Sequence, residues 1–154
     1  FQLPNPFSMS IYDNVAFGLR LNGFKGDEEE MVTKAMKRAA IWDDVKDKLK
    51  NSGLSLSGGQ QQQLAIGRAL VIEPKVLILD EPNEGIQPNI VKQIGDVILK
   101  LNEEEGMTVI LVEQKLGFAR RIGQSFRLME RGKVVAQDSM DKLSDDLISQ
   151  YLAV

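Results

Sequence analysis

The sequence predicts an α/β core, with parallel strands and flanking helices, joined to an all-α subdomain. Three observations carry this prediction. Two short apolar runs, Val76 to Leu79 and Val109 to Val112, flank a stretch from Pro88 to Glu104 with apolar residues at helical spacing. Strand, helix, strand is a βαβ unit, whose strands lie parallel and whose crossover is right-handed. Continuous apolar runs of this kind fit strands covered on both faces. Everything before Ser57, by contrast, reads as charged helices and loops.

In chain order, Phe1 to Pro6 carries two prolines and an asparagine and reads as a loop. Ser10-Ile11-Tyr12-Asp13 has the Ser-x-x-acid form of a helix start, and Val15, Leu19 and Leu21 continue an amphipathic helix to about Asn22. Gly23 and Gly26 end it. Asp27 caps a second helix expected to reach Ile41, and Asp43 or Asp44 opens a third ending near Lys50. A helix from Gln60 to Ile72 buries Leu64, Ile66, Ala69 and Leu70 and stops at Pro74. The first strand, Lys75 to Asp80, the helix from Pro88 and the second strand, Thr108 to Val112, follow. A helix from Lys115 to Ile122 leads into a hairpin of Phe126 to Met129 and Val134 to Gln137. A helix over Ser144 to Leu152 closes the chain.

Composition excludes several chemistries. The 154 residues hold 19 basic and 22 acidic side chains, a formal charge of −3, with no cysteine and no histidine. A chain of about 150 residues can bury roughly 70% of its unfolded surface, so a core needs neither metal nor disulfide. Without thiols there is no disulfide framework, thiolate zinc site, cysteine nucleophile or iron–sulfur cluster. Without histidine, proton chemistry falls to carboxylates, lysines or tyrosines. The slightly acidic balance gives nucleic acid no electrostatic footing. No apolar run approaches the ~20 residues of a spanning helix. With no secretory leader read at Phe1, a cytoplasmic protein is expected, and the missing initiator Met points to an excised or processed segment.

Two constellations carry chemistry. Leu56-Ser57-Gly58-Gly59-Gln60 opens a helix. There Ser57 can cap, the two glycines allow a backbone or phosphate to come close, and the first-turn amides face an anion. An N-cap followed by flexible glycines explains the same residues. The first apolar strand ends in Asp80-Glu81-Pro82. Carboxylates at the C-terminal edge of a parallel strand sit where open α/β sheets bind ligands. In phosphoryl transfer such an Asp holds Mg²⁺ and a neighbouring Glu orients the attacking water. Solvated acids at a strand end are the plainer alternative.

In combination, Ser-Gly-Gly-Gln, an intervening helix and an apolar strand ending in Asp-Glu-Pro resemble the ATP-binding subunits of ABC transporters over essentially the whole chain. The resemblance implies a partial P-loop NTPase (ABC ATPase) core. Residues 1–56 would be the Q-loop and helical subdomain, and residues 57–154 the signature helix, Walker B strand, switch strand and C-terminal α/β part. It makes Leu56 to Gln60 the signature motif, so that Ser57, Gly58, Gly59 and Gln60 would close on ATP. Asp80 becomes the Walker B metal residue and Glu81 the catalytic glutamate. Gln2 corresponds to the Q-loop glutamine that senses Mg²⁺ and the transport subunit. Asn83 to Pro88 falls at the D-loop, and Gln114 at the switch position. ATP and Mg²⁺ are the implied cofactors. The implied partners are a second ATP-binding subunit, arranged head to tail as a homo-oligomer, and a membrane permease docked on the helical subdomain at the inner face of the membrane.

The two halves resemble different importers. Pro4-Asn5-Pro6-Phe7 and Ser10 to Ala16 look like phosphate-import ATPases. Gln60-Gln61-Gln62-Gln63, Glu84 to Pro88 and Val112 to Lys115 look like urea or branched-chain amino-acid importers. A chimera joined near Asn51 to Leu56 is therefore expected. Three departures from the family pattern matter. The usual D-loop aspartate is Gln87, the usual switch histidine is Gln114, and no Gly-x-x-x-x-Gly-Lys-Ser/Thr loop occurs. Without that loop there is no amide cradle or phosphate-binding lysine. The strand that bears it in the family would lie beside Thr108 to Val112, leaving an apolar edge prone to association. The sequence thus supports an ABC importer subunit segment supplying the signature, Walker B and catalytic Glu. Its alternative is a truncated or chimeric scaffold without ATPase activity.

Overall fold

A computed structural model describes residues 6–151, so Gln2 lies outside the described residues. They fall into two compact units, the first ending at Val112 and the second beginning at Glu113.

The first unit opens with helix α1 (Ile11–Leu21), capped by Ser10, whose side chain accepts from the Asp13 amide. Gly23, at φ 65°, takes the left-handed turn that ends it. Helix α2 (Glu28–Arg38) starts at Asp27, which accepts from the Glu30 amide. It stops three residues before the predicted Ile41. Ala40 adopts φ 54°, while the Ile41 amide donates to Met36 O and the Ala40 amide to Lys37 O. This is a Schellman closure with alanine where glycine is usual, so no glycine announces it in the sequence. Helix α3 (Trp42–Val45) is likewise shorter than expected. The carbonyls of Leu49 and Asn51 accept from the Tyr12 and Ile11 amides, which ties residues 49–51 to the start of α1 and takes them out of a helix.

Helix α4 (Gly58–Leu70) is the hub, packed against both α1 and α2. Leu64, Ile66 and Leu70 are buried together with Ile11, Val15, Leu19, Val32, Met36 and Ile41. At Gly67 a side chain would begin 3.6 Å from Ala39 Cβ and 3.9 Å from Val15 Cγ2, ordinary van der Waals distances that show how near the three helices come there. Helix α4 thereby shares one core with the helices that precede it. Lys34–Glu73 and Arg38–Glu105 ion pairs fasten α2 to segments further along the chain.

Strands β1 (Val76–Asp80) and β2 (Thr108–Val112) pair in parallel, with Ile78 opposite Ile110 and Asp80 opposite Val112. Helix α5 (Pro88–Glu103) links them and buries Ile94, Val97, Ile98 and Leu101. The expectation that β1 is covered on both faces needs correction. Leu77 and Leu79 are buried, but Val76, Ile78, Ile110 and Val112 are 47%, 66%, 49% and 51% exposed on the other face. Among the described residues this sheet has two strands and nothing covers its second face. Among the described residues these four side chains form an exposed apolar patch.

The second unit holds helix α6 (Leu116–Ile122), the antiparallel hairpin of β3 (Ser125–Glu130) and β4 (Lys133–Ser139), and helix α7 (Asp145–Tyr151). Arg131 and Gly132, both at positive φ, make the two-residue turn whose twist suits a hairpin. Phe126, Leu128 and Leu143 form its core, flanked by Val135, Met140 and Ile148.

One charge cluster predicts a pH response. Arg20 donates to Asp13 at 2.8 Å and bidentately to Glu28 at 2.7 and 2.9 Å. Hydrogen bonds from Ser10 and then Arg20 hold the Asp13 carboxyl below its ordinary 3.8, and the Arg20 bonds hold Glu28 below 4.5. Lowered carboxylate values stabilise the fold above the ordinary values, and the contribution is lost as pH falls through the lower folded ones. The thermal midpoint should therefore drop on acidification below those values, and Arg20→Gln should flatten part of the drop. Because the cluster is half exposed, high salt should mute the difference. Identical acid profiles for both proteins at low salt would contradict this assignment.

Candidate functional site

The first part of the site is the start of α4. Ser57 and Gln60 form a capping box: Ser57 Oγ accepts from the Gln60 amide, and Gln60 Oε1 accepts from the Ser57 amide. Such a cap stabilises a helix by about 1 kcal/mol. Gln60 Nε2 also donates to Asp44 at 3.1 Å, and Gln61 Nε2 to Leu56 O at 2.9 Å. The N-cap reading of these residues is therefore realised, and it coexists with an exposed Ser57 and Gly58 at the helix tip. Gly59 is half-buried, because its open side is filled by protein: a side chain there would meet Ile90 Cγ2 at 2.8 Å.

The second part is the C-terminal edge of the β1–β2 sheet. Asp80 ends β1 and is exposed. Glu81 follows at φ 43°, a left-handed backbone that costs a residue with a side chain about 1–2 kcal/mol. Its amide donates to Val112 O at 2.9 Å, so the end of β2 fixes the Glu81 backbone. Ala40, Glu73 and Arg131 share this left-handed backbone, so at Glu81 it fixes a tight turn and does not by itself assign a role. A tight loop follows, with the Glu84 amide on Glu81 O, Asn83 fully buried and Gly85 at φ 66°. Gln87 then takes the N-cap position of α5 without a side-chain capping bond, and Pro88 lies in the first turn.

Side chains from the loop and α5 bring these two parts together. Ile86 Cδ1 lies 3.9 Å from where a Gly58 Cβ would stand, and Ile90 packs on Gly59. The structure thus sets Gly58 and Gly59 against Ile86 and Ile90, in the loop and helix that follow Asp80 and Glu81 in the chain. Gln114 belongs to the second unit, where its amide and that of Lys115 donate to Glu113 Oε1 at the start of α6.

Sequence reasoning missed two residues that build this region. Asn14 is fully buried and binds the Phe7 amide and the carbonyls of Phe7, Met9 and Ser10, seating the segment that leads back toward Gln2. Its signal was a polar residue on the same helical face as Ile11 and Val15. Phe7 is held further by the Arg68 guanidinium, 4.3 Å from its ring centroid, a cation whose pKa burial pushes down. Gln63, 1% exposed, joins α4 to the turn at Ala40 through a 3.0 Å bond to its carbonyl. A run of four glutamines hides which one is buried.

Mg²⁺ takes oxygen ligands and keeps several waters, binding through one or two carboxylates and substrate phosphates. Asp80 and Glu81 are hard oxygen donors at a strand end. Among the described residues no three acidic or other metal-ligating side chains converge. That donor set fits a nucleotide-borne Mg²⁺, to which this chain would contribute Asp80. Among the same residues no helix is long and apolar enough to cross a membrane.

The chain belongs to the ABC transporter family, whose model matches residues 1–84. A phosphate import ATP-binding protein of Pseudomonas putida is 52% identical over 125 residues, covering 81% of this chain and 44% of that protein. One from Thermotoga maritima is 40% identical over 99% of this chain and 62% of its own length. A solved dimeric ATP-binding cassette, captured after hydrolysis with ADP and Pi, superposes with a TM-score of 0.77. It is 28% identical, over 91% of this chain and 61% of its own. The chain spans about half the length of the curated relatives it matches.

Proposed function

We propose that this chain is the segment of a phosphate importer's ATP-binding subunit that supplies the signature motif, the Walker B aspartate and the catalytic base. The observation that carries this reading is the packing of Gly58 against Ile86, in the loop that starts at Glu81, and of Gly59 against Ile90 in the helix that follows it. In this reading Asp80 holds Mg²⁺ through water, and Glu81 takes the proton of the water that attacks the γ-phosphate. Ser57, Gly58, Gly59 and Gln60 close on ATP bound to an opposite, head-to-tail subunit. Gln2 and Gln114 position metal, water and phosphate, and residues 1–56 dock on a permease at the inner face of the membrane. Mg²⁺ supplies charge neutralisation at the phosphates when bound. The Thermotoga maritima relative aligns across nearly the whole chain, which favours one importer type throughout over a junction near Asn51 to Leu56.

The absent Gly-x-x-x-x-Gly-Lys-Ser/Thr pattern favours a second reading for the 154 residues taken alone: a scaffold that binds nucleotide weakly and does not turn it over. Both readings make the same first prediction. Calorimetric titration with millimolar Mg-ATP should show no saturable binding by the chain alone, and phosphate release should stay at background. Tight binding by the chain alone would contradict the assignment of the phosphate cradle to residues outside it. The two readings part when that loop is supplied. A completed subunit, with the loop-bearing part of the Thermotoga maritima relative joined ahead of Phe1, gains turnover in the first and stays silent in the second.

A further inference from the structure

Helix α4 and helix α5 meet at a contact that the signature chemistry does not require. A Cβ on Gly59 would stand 2.8, 3.0 and 3.1 Å from three atoms of Ile90, the first closer than real side chains come and the other two tighter than most. One turn further along both helices, Gln63 Nε2 lies 3.4 Å from Gln93 Oε1 while donating to Ala40 O. Gln63 is 1% exposed, and its Oε1 has no hydrogen-bond partner, so the buried amide is held by its nitrogen alone. Ile86, in the loop before α5, closes over Gly58 from the same side. Only seven residues separate β1 from α5, and the first of them is Glu81.

We infer that Ile90 is a positioning residue: the first turns of α5 seat the signature end of α4, so that Ser57 to Gln60 and the loop bearing Glu81 move as one piece. Gly59 is then a packing glycine, required by Ile90 as well as by any phosphate. The inference rests on the proposed function for its catalytic consequence, but the contact itself can be tested without nucleotide.

The sign of a substitution decides it. In open space Gly→Ala within a helix is stabilising, because alanine loses less backbone freedom on folding. Against Ile90 it must displace a branched side chain, so Gly59→Ala should lower the thermal midpoint of the chain by on the order of 3 °C. In an Ile90→Ala background the contacts at 2.8 and 3.0 Å are gone and only the residue 90 Cβ at 3.1 Å remains, so the same substitution should lower the midpoint clearly less. Hydrogen exchange at the amides of Gln61 to Gln63 should follow suit, faster in Gly59→Ala and brought back toward the wild-type rate in the double variant.

The functional arm uses the completed subunit. There Ile90→Ala should lower kcat several-fold with little change in the KM for ATP, since it touches no nucleotide. It should also recover part of the turnover lost in Gly59→Ala. Equal effects of Gly59→Ala with and without Ile90→Ala, on midpoint and on exchange, would overturn the packing claim. Coupling in stability with strictly additive turnover would overturn the positioning role. If the wild-type completed subunit is silent, the proposed function fails, and the midpoint and exchange cycle still decides whether α5 seats α4.

Discussion

Glu81→Gln in the completed subunit is expected to lower ATP turnover by about 10²–10⁴-fold, the contribution typical of a positioned general base. Nucleotide affinity should be nearly unchanged. Of the carboxylates, lysines and tyrosines that the absence of histidine leaves, Glu81 is the proposed base: it directly follows Asp80 at the strand end, where its amide is bonded to Val112 O. Glutamine keeps the shape and hydrogen-bonding capacity of the side chain and removes only the proton acceptor. The loop should therefore stay folded: the thermal midpoint of Glu81→Gln should match the wild type. Asp80→Asn is a useful contrast, because losing a metal carboxylate should weaken Mg-dependent binding as well. A Glu81→Gln subunit with undiminished turnover would place the base elsewhere.

Asn14→Ala is expected to destabilise the chain by about 2–4 kcal/mol, a large share of the 5–15 kcal/mol available to a domain. The side chain is fully buried and makes four hydrogen bonds of 2.8 to 3.3 Å to the backbone of residues 7–10. Several of those carbonyls have second partners, since Phe7 O also accepts from the Met9 amide and Met9 O from the Gly53 amide. The Phe7 amide is the group left most exposed to the loss. Asn14→Asp separates donor from acceptor. It retains an oxygen for the Phe7 amide but sets a buried charge against three carbonyls, so it should cost at least as much as alanine. Urea unfolding measures both. A loss below about 1 kcal/mol for either would mean that the segment is held by packing alone.

Much of this architecture is legible in the sequence because its signals are local. Ser10, Asp27 and Ser57 cap the helices they were expected to cap. The run Val76 to Asp80 and the helix from Pro88 follow from spacing and a proline at the first turn. What escapes is set by contacts distant in sequence or by a rare conformation of a common residue. Helix α2 ends early at an alanine in a left-handed turn, and α3 is cut short by bonds to the start of α1. The same holds for the site. Asp80, Glu81 and Ser57 to Gln60 stand out as residue types, while Asn14, Gln63 and the Ile90 contact are visible only once α1, α4 and α5 are packed. The open face of β1 and β2 is the sharpest case. Its composition speaks of a buried strand, and the structure shows a layer whose cover is absent from the described residues.

The most direct measurement is Mg-ATP turnover by the 154-residue chain beside that of the subunit completed with a phosphate loop. Phosphate release from the chain alone should stay at background, and Glu81-dependent hydrolysis should follow once the loop is joined ahead of Phe1. Turnover by the chain alone, or a soluble, folded completed subunit that hydrolyses nothing, would contradict the proposed function.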